Sequence, residues 1–256
     1  MTAPESPPNP EAPNPQVPVV QRLRIRYAKR GRLRFTSHRD FGRAFERAVR
    51  RAGVPIGFSS GYSPHPKISY AGASPTGAAS EAEYLEIGVT RACDPADVLR
   101  DLDAALPAGL DVLDVVPAGD GDRSLADRLE ASEWEITLGG VGVERVRSAV
   151  DAYLAEESIE VERMTKKGLR SFDCRAAVAR LSAASGVGDC DPCAILTVVV
   201  RHATPSVRPD DVLAGLRAIA GLELSVPPLA NRTAQGPLDP QLGTVGDPFA
   251  PDRDAS

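Results

Sequence analysis

Apolar and polar positions alternate without a break from residue 22 to residue 27. Leu23, Ile25 and Tyr27 fall on one side and Arg22, Arg24 and Arg26 on the other, the pattern of a strand with one buried face. Gly31 allows a turn or bulge, and Arg32-Leu33-Arg34-Phe35 repeats the alternation. The period then lengthens. Ser37 can cap a helix with Asp40 three residues on, and Gly53 followed by Pro55 ends it. Its apolar stripe is Phe41, Phe45, Ala48, Val49 and Ala52, while Arg39, Arg43 and Arg47 recur every four residues elsewhere on its surface. Strands are expected over 67–71 and 83–89, then a helix over 94–106 capped by Asp94 with Pro95 at its first position. A strand over 110–116 completes the order β-α-β-β-α-β, that of a ferredoxin-like module.

The second half repeats the order more loosely: a strand over 134–138 and a helix with Val143, Val146, Val150, Tyr153 and Leu154 inward. Strands near 159–164 and 194–200, a helix over 208–220 and a short strand over 223–226 follow. Pro95-Ala96-Asp97-Val98-Leu99 leads to Gly109-Leu110-Asp111-Val112, much as Pro209-Asp210-Asp211-Val212-Leu213 leads to Gly221-Leu222-Glu223-Leu224. The expectation is an α+β chain of two tandem ferredoxin-like modules, 19–120 and 121–230. A disordered proline-rich leader over 1–18 and a disordered tail over 231–256 are expected to flank them.

Charge changes this picture more than composition does. The chain carries a formal net charge of −5, yet thirteen lysines and arginines face only Asp40 and Glu46 between residues 20 and 70. That stretch holds about +11, enough to attract polyanions whatever the global sign. The first residues lack the basic and apolar segments of a signal peptide, and no apolar run approaches a membrane span. Four cysteines in 256 residues suit a reducing compartment, so a cytoplasmic location is expected, with no membrane contact.

Three segments can carry chemistry. At the start of the first helix, Ser37, His38, Arg39 and Asp40 join free backbone N–H groups to cationic donors suited to phosphate; the plain alternative is a helix cap with a solvated arginine face. In Gly61-Tyr62-Ser63-Pro64-His65-Pro66-Lys67, two prolines stiffen the backbone around His65; Tyr62 can stack on a base and Lys67 can pair with phosphate. Whether this loop reaches Ser37 depends on which segment, 56–60 or 67–71, is the second strand. Glu81 and Glu83 could neutralise arginines or act with a histidine, although exposed strand carboxylates are commonly only solubilising. Cys190-Asp191-Pro192-Cys193 is a lone CxxC without the further ligands zinc requires. Lys166-Lys167-Gly168-Leu169-Arg170 reads as a basic turn. No metal or cofactor is expected.

Taken together, Phe35-Thr36-Ser37-His38-Arg39-Asp40, the arginine-rich helix ending Arg50-Arg51-Ala52-Gly53, the Gly61–Lys67 segment and Ser80-Glu81-Ala82-Glu83-Tyr84 resemble a specific family. It is the radical SAM-associated (radical SAM-linked) domain of unknown function, fused in many bacteria to cobalamin-binding-type radical SAM proteins and free-standing in others. The resemblance implies an accessory subunit of a separately encoded radical SAM protein, because the chain has no CxxxCxxC cluster motif of its own. The expected role is to bind RNA, or present an RNA-related substrate, through Arg24, Arg26, Arg34, Ser37, Arg39, Asp40, Arg43, Arg47, Tyr62, Lys67, Glu81 and Glu83. Two alternatives stand beside it. One is a ferredoxin-like endoribonuclease with His38 and His65 as catalytic acid and base; the other is a protein–protein interaction module.

Overall fold

The computed structural model describes residues 17–119, 123–165, 168–186 and 192–254. Strand β1 (Gln21–Lys29) follows the alternation, with Leu23, Ile25 and Tyr27 buried. The second alternating segment does not form a strand. Gly31 takes a φ of 54° and Leu33 N–H donates back to Arg30 O, so Gly31–Phe35 coils into a 3-10 turn. Helix α1 (His38–Arg51), β2 (Ile68–Ala71), β3 (Ala79–Val89), α2 (Pro95–Ala105) and β4 (Val112–Pro117) follow. The strands lie in the order β4-β1-β3-β2, each neighbour antiparallel. Phe41, Phe45 and Val49 of α1 and Val98 and Leu102 of α2 close over Leu23, Ile25, Leu85 and Ile87.

After the short α3 (Leu125–Arg128) come β5 (Ala131–Gly139), α4 (Val143–Ala155) and a hairpin of β6 (Glu160–Thr165) with β7 (Gly168–Asp173). Then follow β8 (Val178–Ser185), β9 (Cys193–Arg201), α5 (Pro209–Ala220), β10 (Leu229–Gly236) and α6 (Ala250–Arg253). Here the order is β10-β5-β9-β8, again antiparallel throughout. The expected strand near 159–164 is β6, but it pairs only with β7, outside the main sheet. The expected strand over 223–226 does not form; β10 takes its place after Gly221 ends α5 in the left-handed region.

The expectation of a disordered tail over 231–256 is overturned. Strand β10 sits in the middle of the sheet, antiparallel to β5 and, at Asn231↔Ala79 and Arg232↔Ser80, parallel to β3. It therefore joins the two halves into one eight-stranded mixed sheet. Beyond it, Phe249 is fully buried against Tyr84, Val116, Leu125 and Leu129, on the face of the first half-sheet opposite α1 and α2. The fold is mixed α+β with six α-helices among the described residues, none long and apolar enough to cross a membrane.

Where the halves meet, polar groups are buried rather than apolar ones. Arg232 donates to Glu83, to Gln235 Oε1 at 2.9 Å and to Ser80 Oγ at 3.3 Å. Glu83 also accepts the Ser74 N–H at 3.1 Å, and Lys29 reaches Pro75 O at 3.3 Å. Burial alone would raise the Glu83 pKa, but Arg232, Ser80, the Ser74 N–H and Lys29 outweigh it and hold the carboxyl below its ordinary range.

Candidate nucleic-acid interface

Helix α1 starts as its sequence requires. Ser37 Oγ accepts the Asp40 N–H at 3.2 Å and donates to the Asp40 carboxylate at 2.7 Å. The Phe41 ring stacks on Tyr27 with centroids 4.2 Å apart, which anchors the apolar stripe to β1. That anchoring sends Arg39, Arg43, Arg47 and Arg50 to the outer surface, all exposed. Their spacing of four, four and three residues keeps them within a narrow arc, one about every 6 Å along the axis. Among the described residues none of these four has a carboxylate within ion-pairing distance; Arg22, Arg24, Arg30, Arg100, Arg217 and Arg253 do have one, while Arg32, Arg34, Arg91 and Arg201 share the unpaired state. At the same end, Arg34 lies over the ring of Phe35, 4.6 Å from its centroid, and that ring is exposed. The result is a solvated cationic ridge with an aromatic face beside it.

The β1 arginines have the opposite character. Arg24, only 4% exposed, grips both oxygens of Asp252 at 2.7 Å and reaches Glu86 at 3.1 Å. Arg128 holds the same Asp252 at 2.8 Å, and the Gly119 N–H donates to it at 3.0 Å. Burial works against ionisation of Asp252, but Arg24, the Gly119 N–H and Arg128 together depress its pKa. Arg26 is occupied by Glu81 O at 2.8 Å, and the Glu81 carboxylate is bound by Arg30. Arg24 and Glu83, expected to contact a ligand, are therefore corrected to buried structural pairs. The physical cause is the C-terminal segment, which covers a face that alternation alone assigns to solvent.

The loop over residues 57–67 is a narrow excursion closed by Ser59 N to His65 O and Lys67 N to Gly57 O, both at 2.8 Å. It exposes Tyr62 and His65. Lys67 and His65 line an open cavity of about 330 Å³ with Arg22, Ser69 and Glu86, on the sheet side of the molecule. His38 is elsewhere: its ring meets the edge of Tyr70 at 4.8 Å, and burial, helped by Glu46, pushes the Tyr70 hydroxyl up to about 12. Because β2 begins at Ile68, His65 lies before its start and Tyr70 near its end. Five residue steps separate His65 from Tyr70, roughly 16 Å where the chain is fully extended. The two histidines expected to act as a pair are not brought together.

Three features escaped sequence reasoning. Asp252 and Arg232 lie in the segment expected to be a tail, where only the C-terminal fold reveals them. His202 closes a small polar group with Ser132 at the junction of the halves. The basic turn at Lys166 and Lys167, and Cys190 of the CxxC, lie outside the described residues; Cys193, at the start of β9, is disulfide-bonded.

No curated protein matches the chain. Among solved structures, it is similar to a chain of the "Crystal Structure of a Cbf5-Nop10-Gar1 Complex". Identity is 10% and the TM-score 0.43, with 85% of this chain and 50% of that chain covered. The chain thus spans half the length of that relative, and a likeness of this degree carries no functional argument. The match to a family is of a different order: residues 22–209 fit the one described as "Uncharacterized protein conserved in bacteria (DUF2344)", and to that family this chain belongs.

Proposed function

We propose that this protein is an RNA-binding accessory protein whose phosphate-contacting surface is the outer face of α1, not the arginine face of β1. The observation that carries the reading is the row Arg39, Arg43, Arg47 and Arg50, exposed and without carboxylate partners among the described residues. Four like charges on one helix face repel one another weakly, with Glu46 the acid among them, and concentrate a field that a polyanion would complement. Phe35 and Arg34 at one end add a stacking surface, the usual companion of a cationic track for single strands. The two strand orders, β4-β1-β3-β2 and β10-β5-β9-β8, support reading each half as a ferredoxin-like module, the second carrying the β6–β7 hairpin as an insertion. The motif resemblance supplies the partner: a separately encoded radical SAM enzyme, for which this chain would hold or present RNA.

The test is binding of a single-stranded RNA oligomer across a salt series. Four phosphate contacts give a slope of log affinity against log salt of about −3. Replacing all four arginines with glutamine should flatten that slope by the same amount while thermal unfolding stays unchanged. Salt-independent binding, or an unaltered slope in the quadruple variant, refutes the reading. The His38 ring packs on Tyr70 while His65 lines a cavity that His38 does not reach, which leaves two-histidine cleavage without support.

A further inference from the structure

A second site stands apart from α1. Between residues 72–75 of the first half and the β9–α5 connection of the second lies a cavity of about 250 Å³, lined by Ser132, Trp134, His202, Arg208, Arg232 and Gln235. We propose that it binds a small phosphate monoester bearing a flat ring.

The charge balance is the first ground. The lining carries Arg208, Arg232 and no carboxylate. Arg232, 3% exposed, is balanced by Glu83 behind it. The charge of Arg208 is left to attract an anion into the cleft. On the opposite wall Arg208 is exposed at the rim. The nearest carboxylate there, Asp211, is occupied by Arg163 and by the Arg208 N–H at 2.7 Å.

The second ground is the directionality of the polar groups. His202 Nδ1 lies 2.6 Å from Leu129 O and must donate to it, which leaves Nε2 of the neutral ring as an acceptor. Ser132 Oγ, 2.7 Å from Nε2, donates its proton there and turns its lone pairs elsewhere. Protonated, the same ring would donate from Nε2. The guanidinium groups of Arg232 on the floor and Arg208 at the rim supply N–H donors from two sides, an arrangement that suits a phosphate.

The third ground is shape. Trp134 forms a flat wall, with the Arg232 guanidinium 5.4 Å from its ring centroid. Gly72, at a φ of 58°, is the one residue type the opposite wall accepts. A Cβ there would stand 2.5 Å from Gln235 Oε1, and the amide that orients Arg232 would have to move. A volume near 250 Å³ falls below the ~300 Å³ at which drug-sized pockets begin, which limits the ligand to a single ring and its phosphate.

Trp134 is the only tryptophan in the chain, so its emission reports this cleft alone. The experiment titrates the full chain with phenyl phosphate, inorganic phosphate and phenol, following tryptophan fluorescence and calorimetric heat together. Phenyl phosphate should bind and shift the emission, inorganic phosphate should bind more weakly, and phenol should not bind. Arg208→Gln, at the exposed rim, should weaken phenyl phosphate about tenfold without altering thermal unfolding; Arg43→Gln should not weaken it. Absence of binding at millimolar phenyl phosphate overturns the proposal. So does binding that leaves the emission unchanged, or binding that Arg208→Gln does not reduce. RNA affinity should be indifferent to Arg208→Gln, so this proposal and the α1 reading fail or survive separately.

Discussion

The arginines of β1 and those of α1 lie within thirty residues of each other and differ in almost every physical respect. Arg24 is buried, bonded through one nitrogen to both oxygens of Asp252 and supported by Glu86; Arg43, on α1, is exposed and in no ion pair among the described residues. Both sets recur with the period of their own element, so periodicity identifies the face and not its use. What separates them is what the rest of the chain brings to that face. The C-terminal residues bring Asp252 and Phe249 to β1, whereas Glu46, the acid that α1 itself places among its arginines, forms an ion pair with none of them among the described residues. Cation density thus locates a candidate interface only after the ion pairs have been subtracted.

The sharpest way to break this contrast is at Asp252. Asp252→Ala leaves Arg24 and Arg128 buried without their shared partner and should cost about 3–5 kcal/mol in a urea unfolding experiment. Arg43→Gln, by comparison, should stay within ~0.5 kcal/mol of the parent protein. Comparable losses in the two variants would erase the distinction between structural and solvated arginines.

A smaller effect is expected from acid. Glu83 and Asp252 both have folded pKa values below their ordinary ones. The stability they contribute is complete above the unfolded carboxylate values near ~4 and is lost as the pH falls through the lower folded values. Denaturant midpoints should hold steady down to about pH 5 and drop below about pH 4. Asp252→Asn should make that drop shallower. If the variant and the parent protein lose stability in parallel, Asp252 is not the group being titrated. The smallest effect belongs to the start of α1: Ser37→Ala removes the bond to the Asp40 N–H and should cost about 1 kcal/mol. It should also reduce RNA affinity slightly, by fraying the turn that carries Arg39.

Elements built on apolar periodicity were legible in the sequence. The alternation of β1, the capped amphipathic α1 and the Asp94-capped α2 stand where the pattern puts them. Elements built on buried polar groups were not. Strand β10 reads Leu-Ala-Asn-Arg-Thr-Ala-Gln-Gly, with no apolar face, and is held by backbone pairing on both sides and by the pairs of Arg232. No hydrophobic period can announce such a strand. The segment Arg32–Phe35 failed for the opposite reason: its alternation is real, but the positive φ of Gly31 commits the chain to a coil. At the candidate site, the sequence located the α1 arginines and the loop carrying His65. The distance between the two histidines depended on which segment became β2, and two short apolar stretches compete for that role with similar patterns.

The pairing of Arg24 with Asp252 also has a temporal side. The partners are 228 residues apart, and a ribosome adding 5–20 residues each second needs roughly ten to forty-five seconds to supply the second after the first. For that interval the nascent first half holds Arg24 with Glu86 alone, an acid that Arg22 also engages, on a face still lacking Phe249. The basic half of this protein is synthesised first and is among the last parts to be completed.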